Sequence, residues 1–460
     1  MTFLPQNFML FSIKLRYMTI LPSFFPTFVR VYEHSGKLFI PYYIIYKSHP
    51  MQTPSATELI LIRITGEDRP GLTASVMEIL ANYDATILDI GQADIHSTLS
   101  LGILCKTEEQ HSGFIMKELL FKASALGVSV RFYPISSKEY EDWVNMQGKN
   151  RYILTLLGRK LSAGQIAAAT RILAEQGMNI DAIKRLTGRI PPNETEAKTK
   201  ACIEFSVRGT PKDREQMQAQ LMKMASELEI DFSFQLDNMY RRMRRLICFD
   251  MDSTLIETEV IDELAMRAGV GDQVKAITER AMRGEIDFVE SFRERVALLK
   301  GLDVSVMQDI AEHLPITEGV DRLMYVLKKY GYKIAILSGG FTYFGEYLQK
   351  KYGIDYVYAN ELEVENGKLT GRYVGDVVDG KRKAELLRLI AQVEKVDIAQ
   401  TIAVGDGAND LPMLGVAGLG IAFHAKPKVV ANARQSINTI GLDGVLYFLG
   451  FKDSYIDGPK

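Results

Sequence analysis

Runs of alternating apolar and polar residues open two comparable parts of the chain. Glu58 to Ile64 reads ELILIRI, the alternation of a half-buried strand, and is followed by a turn, the helical run Leu72 to Tyr83 and a second strand at Thr86 to Ile95. The same order returns from Tyr152 onward. There the pattern predicts strands at Tyr152–Leu157, Asn179–Leu186, Ala201–Val207 and Asp231–Gln235, and helices at Ala163–Gln176 and Lys212–Leu228. Two small α+β units related by internal duplication are therefore expected.

The turn after the first strand reads GEDRPGL, from Gly66 to Leu72, and the corresponding turn of the second unit reads LGRKLSA. On these motifs both units resemble ACT domains, small ligand-binding modules of amino-acid metabolism, although the second turn matches the family pattern poorly. The resemblance implies βαββαβ folds at residues 57–135 and 150–237, with an amino-acid effector and a homodimer as candidate partners. The polar stretch Lys138–Lys149 and the loop Pro191–Lys200 are expected to be breaks between elements.

From residue 245 to about 455, short apolar strands alternate with helices. The predicted strands are Leu246–Phe249, Ile334–Leu337, Tyr356–Tyr358, Ile402–Val404 and Gly420–Ala422. Such alternation favours an α/β fold, a Rossmann-like doubly wound parallel sheet with helices on both faces. The mainly helical stretch Val260 to His313 is too long for a simple crossover and predicts an inserted cap at about 260–316. Asn366-Gly367 predicts a β-hairpin turn.

Composition narrows the class of protein. With 47% hydrophobic and 24% charged residues and a net charge of -2, the chain is typical of a soluble globular protein and carries no electrostatic footprint for nucleic acid. The basic run RRMRR, Arg241 to Arg245, is interpreted as a solvated linker. Cys105, Cys202 and Cys248 show neither metal-ligand spacing nor a disulfide pattern, which suits the cytoplasm.

The first fifty residues differ from the rest, being rich in Phe, Tyr, Ile and Pro. Lys14 and Arg16 interrupt one apolar run and Pro22 and Pro26 another, so neither a secretory signal nor a membrane span is predicted. We interpret residues 1–50 as a disordered or non-native extension, with Met51 the more plausible start.

Candidate chemistry begins where the first apolar strand of the sheet ends. Asp250-Met-Asp252-Ser-Thr254 places two carboxylates at the carboxyl end of a buried strand, the edge at which open α/β sheets bind ligands. Taken alone, this DxDxT motif is only moderately specific, because a turn with capping Asp and Thr would read the same.

Three further elements follow in a fixed order. The second strand ends in Ser338-Gly339-Gly340, Lys383 opens a helix, and the fourth strand ends in GDGAND, from Gly405 to Asp410. Together with the DxDxT motif they resemble the signature of haloacid-dehalogenase phosphatases. Because a phosphoryl group repels an anionic nucleophile, this chemistry needs a cation and several donors, and Mg²⁺ with hard oxygen ligands meets that need.

The resemblance implies a role for each position. Asp250 is the expected nucleophile, and Asp252 the acid that protonates the leaving oxygen and later accepts a proton from water. The expected magnesium ligands are Asp250, Asp406 and the backbone carbonyl of Asp252. The expected phosphoryl-binding groups are Ser338, the Gly339 amide, Lys383 and Asn409, with Thr254 and Asp410 in support.

The segment from about Arg245 resembles phosphoserine phosphatases in particular, through DMDSTLIETEVIDELA, SFRERVALLKGL, PITEGV, LSGGF and AVGDGANDLPML. The family implies that Glu259 binds the substrate ammonium and Arg295 its carboxylate, with Met282 and Phe288 as apolar lid positions. It also implies hydrolysis of O-phospho-L-serine through an aspartyl-phosphate, the last step of serine biosynthesis.

Two alternatives stay open at this point. The same fold and chemistry serve phosphatases and phosphotransferases of other small phosphomonoesters, against which Glu259 and Arg295 are the distinguishing residues. An amino-acid-sensing regulatory protein built on the ACT-like units is the second alternative. The complete set Asp250, Asp252, Lys383 and Asp406 disfavours it.

Overall fold

The computed structural model describes residues 56–456, except 147, 149, 190, 192, 194–198 and 431. The chain forms two compact units that divide between Tyr140 and Glu141. The extension expected over residues 1–50, and Met51 as a start, lie outside the described residues. Within the described ranges, none of the helices is both long and apolar enough to span a membrane.

The first α+β part confirms the predicted βαββαβ order. Its elements are β1 (Thr57–Glu67), α1 (Leu72–Asn82), β2 (Thr86–Ile95), β3 (Thr98–Glu108), α2 (Glu109–Leu126) and β4 (Ser129–Ile135). The strands form an antiparallel sheet in the order β2-β3-β1-β4. Because side chains alternate along a strand, Ile60, Ile62 and Ile64 of β1 all point into the core.

The polar stretch Lys138–Lys149, which was expected to be a break, contains the point at which the two units divide, and much of it also forms a helix that was not predicted. Helix α3 spans Ser137–Asn145. Its start is fixed by a capping box in which Ser136 Oγ accepts from the Glu139 amide and the Glu139 carboxylate accepts from the Ser136 amide. The sequence signal for this helix, Ser-x-x-Glu, was therefore present.

The second α+β part confirms all six predicted elements to within two residues at each end. They are β5 (Arg151–Gly158), α4 (Ala163–Glu175), β6 (Asn179–Arg185), β7 (Ala201–Arg208), α5 (Arg214–Glu227) and β8 (Asp231–Leu236). The strands are antiparallel in the order β8-β5-β7-β6. Phe205 and Phe232 are buried between this sheet and its helices.

The run Arg241–Arg245 is not wholly solvated, which corrects the linker interpretation. Helix α6 (Met239–Arg242) turns Arg241 inward, where its guanidinium lies 2.7 Å from the Glu204 carboxylate, and Arg244 is 4% exposed. Arg242, which lies between these two buried arginines, is exposed.

The C-terminal part, residues 245–456, contains the predicted parallel sheet. Its strands are β9 (Leu246–Phe249), β10 (Lys333–Phe341), β11 (Tyr356–Glu365), β12 (Lys368–Val374), β13 (Thr401–Gly405), β14 (Leu419–Phe423) and β15 (Gln435–Ile437). The order is β12-β11-β10-β9-β13-β14-β15, parallel from β11 to β15. The predicted hairpin turn is confirmed, with Asn366 and Gly367 at φ 51° and 76°.

Helices complete the C-terminal part. Those packed on the sheet are α11 (Val320–Lys329), α12 (Thr342–Tyr352), α13 (Gly380–Val393), α14 (Leu411–Val416), α15 (Pro427–Val430) and α16 (Gly444–Phe448). The predicted cap is confirmed as α7 (Val260–Arg267), α8 (Gly271–Met282), α9 (Phe288–Ala297) and α10 (Ser305–Glu312). Phe292 and Leu299 are buried in its interior.

The sheet does not end at β15. Ser436 of β15 pairs with Phe232 of β8, antiparallel, so the strands of the second α+β part and of the C-terminal part form one 11-stranded sheet. Strand β15 was not predicted, because its sequence, Gln435-Ser436-Ile437, is mostly polar and forms no apolar run.

Candidate active site

The carboxyl ends of β9 and β13 bring the first group of predicted residues together. Asp250 follows β9, and its amide donates to the Val404 carbonyl of β13 at 2.9 Å. Lys383 Nζ lies 2.8 Å from Asp250 Oδ1 and 2.7 Å from Asp410 Oδ1. All three side chains are buried, so these ion pairs are shielded from water.

Lys383 reaches this position from the first turn of α13. Asp379 caps that helix by accepting from the Arg382 amide at 2.8 Å. Burial alone would lower the pKa of Lys383, but the carboxylates of Asp250 and Asp410 outweigh it and raise that pKa above its usual value. The two carboxylates therefore favour the positively charged form of the lysine.

Three carboxylates crowd around this one lysine. Asp250, Asp406 and Asp410 each offer an oxygen within 4.8 Å of the others. Burial, followed by the negative charge of Asp410, raises the pKa of Asp406 to about 7. The same two causes raise the pKa of Asp250, although the charge of Lys383 acts in the opposite direction. Since the positive charge present does not balance the negative charge, and since the ligand atoms are hard oxygens, the group fits a divalent cation such as Mg²⁺.

Asp252 lies beside this cluster in a different environment. The side chain is buried, and one oxygen accepts from the Val260 amide at 3.2 Å, which ties it to the start of the cap. Burial, followed by the charges of Glu259 and Asp250, raises the pKa of Asp252 well above its usual value. A carboxyl group of this kind keeps its proton nearer to neutral pH, as a general acid requires.

The last residues of β10 form another side of the site. Ser338 is buried, and its Oγ accepts from the Gly340 amide at 2.9 Å. Asn360 Nδ2 donates to the Gly339 carbonyl at 2.8 Å, while its Oδ1 accepts from the Val378 amide at 2.8 Å. The sequence analysis missed Asn360, although a polar residue at the end of a predicted strand was the available signal.

The cap supplies the predicted amino-acid-binding pair. Glu259 is exposed at the start of α7 and accepts a hydrogen bond from Ser253 Oγ at 3.0 Å. Arg295 on α9 is partly buried, and burial lowers its pKa, although Glu259, Asp262 and Asp252 act in the opposite direction. The structure thus places a guanidinium and a carboxylate beside Asp252.

The remaining predicted residues differ in their exposure to solvent. The Phe288 ring packs over Gly339, so closely that a Cβ there would lie 3.0 Å from Phe288 Cζ, whereas Met282 is mostly exposed. Asn409 is half-buried in the loop between β13 and α14. Thr254 is fully buried, and its Oγ1 has no hydrogen-bond partner among the residues that the structure describes.

Comparison with known families agrees with this geometry. Residues 247–415 match the model of the haloacid dehalogenase-like hydrolases. Residues 58–133 and 151–235 each match a model of ACT domains. The fold and the site thus define a haloacid dehalogenase-like hydrolase preceded by two ACT domains.

Individual relatives narrow this class further. A phosphoserine phosphatase of Streptomyces coelicolor is 38% identical over 391 residues, covering 85% of this chain and 92% of the relative. One from Mycobacterium tuberculosis is 38% identical over 393 residues, covering 85% and 93%. The crystal structure of a probable phosphoserine phosphatase from Vibrio cholerae, 34% identical, superposes with a TM-score of 0.51 over 66% of this chain and 87% of that one. The chain belongs to the phosphoserine phosphatase family.

Proposed function

We propose that this protein is a Mg²⁺-dependent phosphoserine phosphatase that hydrolyses O-phospho-L-serine to L-serine and phosphate. The observation that carries the proposal is the buried Asp250–Lys383 ion pair at the end of β9, which lies beside Asp406 and below a cap that presents Arg295. These residues supply a nucleophile, a positively charged lysine for the phosphoryl group and an arginine for the amino-acid end of the substrate.

In the first step, a carboxylate oxygen of Asp250 attacks phosphorus while the bond from phosphorus to the serine oxygen breaks. Asp252 gives its proton to that oxygen, so that neutral serine hydroxyl leaves. Lys383, Ser338 Oγ and the Gly339 amide bind the phosphoryl oxygens and stabilise the charge that they carry in the transition state. The product is an aspartyl-phosphate on Asp250.

The second step reverses the role of Asp252. Now ionised, it takes a proton from a water molecule as the water oxygen attacks phosphorus, and the bond to Asp250 breaks. Phosphate is released, Asp250 returns as a carboxylate and Asp252 is protonated again. The raised pKa of Asp252 supports this assignment, because one group must be both an acid and a base near neutral pH.

Asp250, Asp406 and the Asp252 backbone carbonyl would hold the magnesium ion, which supplies positive charge against the phosphoryl oxygens. Asp410 keeps Lys383 in place through its 2.7 Å contact. Thr254 supports the turn that carries Asp252, and Asn409 contacts the phosphate region.

Glu259 and Arg295 give the site its preference for a free amino acid. Glu259 accepts from the substrate ammonium, and Arg295 binds the carboxylate with its planar pair of donors. A phosphatase or phosphotransferase for another phosphomonoester would have no use for this pair. A purely regulatory role is disfavoured by the intact chemistry of Asp250, Asp252 and Lys383.

We assign the reaction to the last step of serine biosynthesis in the cytoplasm, which agrees with cysteines that are buried and free. The two ACT domains, by their class, are proposed to bind an amino-acid effector, for which serine is the leading candidate, and to support a homodimer.

Phosphate release from a panel of phosphorylated amino acids and sugars, with Mg²⁺ or with a chelator, tests the proposal. Phosphoserine is expected to be the preferred substrate, with turnover lost on chelation and restored by Mg²⁺. Equal rates on sugar phosphates, or full activity with the chelator, would contradict it.

A further inference from the structure

Arg159 joins the second ACT domain to the C-terminal part of the chain. It lies in the turn between β5 and α4, and its two terminal nitrogens donate to the two oxygens of Glu318 at 2.9 and 2.6 Å. Its Nε donates to the Thr439 carbonyl at 3.1 Å. A planar two-point contact of this kind fixes the direction as well as the distance between two groups.

The turn that carries Arg159 is itself firmly held. Thr199 Oγ1 donates to the Arg159 carbonyl at 2.7 Å. At the start of β8, the buried Asp231 carboxylate accepts from the amides of Asn438 and Thr439 and from Thr439 Oγ1, at 2.6, 3.1 and 2.6 Å. The second ACT domain is therefore a fixed platform for Arg159.

Glu318 stands at the base of the cap. The segment just before it, Pro315–Thr317, brings the chain back from the cap helices to the sheet. Its Thr317 amide donates to the Leu255 carbonyl at 3.1 Å, and its Pro315 carbonyl accepts from the Glu257 amide at 2.8 Å. The returning segment, residues 315–317, is thus hydrogen-bonded to the outgoing segment, residues 253–259, which leads into the cap.

That outgoing segment joins the expected catalytic and substrate-binding residues. It begins just after Asp250 and Asp252 and ends at Glu259. The backbone of Glu318 is also fixed, because its carbonyl accepts from the Leu442 amide at 2.7 Å. A displacement of Glu318 therefore reaches both chain segments on which the cap is mounted.

In the first ACT domain, the arginine of the equivalent turn has a different partner. In GEDRPGL, Arg69 pairs with Glu67 at 2.7 Å, and both side chains are more than half exposed. In LGRKLSA, Arg159 is turned to Glu318 and is only about a quarter exposed. The turn that matches the family pattern poorly is thus the one whose arginine contacts the C-terminal part of the chain.

We infer that Arg159 is a positioning residue for the reaction. By holding Glu318, it fixes the base of the cap, so that Glu259 and Arg295 meet the substrate in the correct geometry. This role rests on the proposed function, since it presumes an amino-acid substrate beneath the cap. It also makes the β5–α4 turn of the second ACT domain part of the catalytic unit.

Arg159→Met is the decisive variant, and Arg208→Met is its matched control. Arg208 pairs with Asp181 at 3.0 Å, at similar burial, but wholly within the second ACT domain. Arg159→Met is expected to lower kcat/KM for phosphoserine by about two- to thirtyfold, the range seen when coupling residues away from a ligand are changed. The loss on p-nitrophenyl phosphate, which has no amino-acid end, is expected to be smaller.

Two further variants separate the Arg159–Glu318 contact from general damage. Arg159→Lys keeps the charge but not the two-point geometry, so partial recovery is expected. Arg159→Met combined with Glu318→Gln is expected to be no worse than the worse single variant, because both remove the same contact.

Amide hydrogen exchange provides a measurement that does not depend on activity. In Arg159→Met, the amides of residues 255–257 and 316–318 are expected to exchange faster than in the unmodified protein, and in Arg208→Met they are expected to be unchanged. Unchanged exchange in a folded Arg159→Met protein, or equal effects in the two variants, would overturn the inference. If the unmodified protein fails on phosphoserine, the proposed function fails, and exchange still decides whether Arg159 holds the cap base.

Discussion

Lys383 Nζ lies 2.8 Å from Asp250 Oδ1, with both side chains buried. A buried charge is tolerated only with a partner, and here each residue is a partner of the other. The same lysine also contacts Asp410. Lys383 therefore connects the expected nucleophile, Asp250, to the loop after β13. Chemistry and stability therefore depend on the same contacts.

Removing the positive charge of Lys383 tests whether activity and stability depend on these contacts. Lys383→Met leaves Asp250, Asp406 and Asp410 without a buried positive charge, and breaking a buried pair by loss of one partner costs about 3 kcal/mol or more. Urea unfolding is expected to show that loss together with loss of turnover, and Mg²⁺ is expected to recover part of the stability. Lys381→Met, an exposed neighbour on α13, is the control. Equal stability of both variants would count against the buried network.

Substrate selectivity is expected to depend on Arg295. Arg295→Ala should lower kcat/KM for phosphoserine by roughly ten- to a hundredfold, because a charge-assisted contact contributes about 1.5–3 kcal/mol, and should largely spare p-nitrophenyl phosphate. Arg293→Ala, an exposed arginine of the same helix, should change neither. Steady-state kinetics on both substrates measures the two effects. Equal losses of kcat/KM on phosphoserine and on p-nitrophenyl phosphate would mean that Arg295 binds the phosphate or maintains the structure of the cap.

The Arg159–Glu318 contact should be sensitive to acid. Hydrogen bonds from Arg159 lower the pKa of Glu318. A carboxyl group with a lowered pKa in the folded state contributes stability above its unfolded pKa of about 4.3, and that contribution is lost as the pH falls through the folded value. Urea unfolding should therefore show a small difference between the unmodified protein and Arg159→Met, constant from neutral pH to about pH 5 and shrinking below about pH 4. A difference that grows in acid would contradict this account.

Truncation should distinguish the two ACT domains. A fragment beginning at Glu141 keeps the whole second unit, including the Asp231 and Arg159 contacts, and should retain phosphatase activity. A fragment beginning at Met243 loses β8, which pairs with β15, and leaves apolar surface uncovered; it should melt at a lower temperature and aggregate more readily. Thermal melts and phosphate release compare the two. Equal behaviour would show that the second ACT domain is dispensable.

Local patterns predicted most of the elements and most of the candidate site. Strand β9 was identifiable because its four residues form a continuous apolar run, and the two carboxylates that follow it were visible in the sequence. Asp250 and Lys383 were predictable for the same reason: each occupies a fixed place at the end of a strand or the start of a helix. The roles expected for Asp250 and Lys383 stay predictions.

Long-range pairing could not be predicted in this way. Arg159 and Glu318 are 159 residues apart, and no periodicity links them. Arg241 and Arg244 resembled a solvated linker because a run of basic residues carries no sign of the burial that neighbouring strands impose. Asn360 lies outside every recognised motif, although its side chain connects the Gly339 backbone, near the end of β10, to the segment before α13.

The most direct test is to find where the phosphoryl group is attached during turnover. The protein is mixed with phosphoserine and Mg²⁺, quenched in acid within the first turnover, and digested for peptide mass spectrometry. A phosphoryl group is expected on Asp250, and Asp250→Asn is expected to be folded, inactive and unlabelled, because an amide neither attacks phosphorus nor binds Mg²⁺ as an anion. Rapid turnover with the label on another residue, or near-normal activity of Asp250→Asn, would contradict the proposed mechanism.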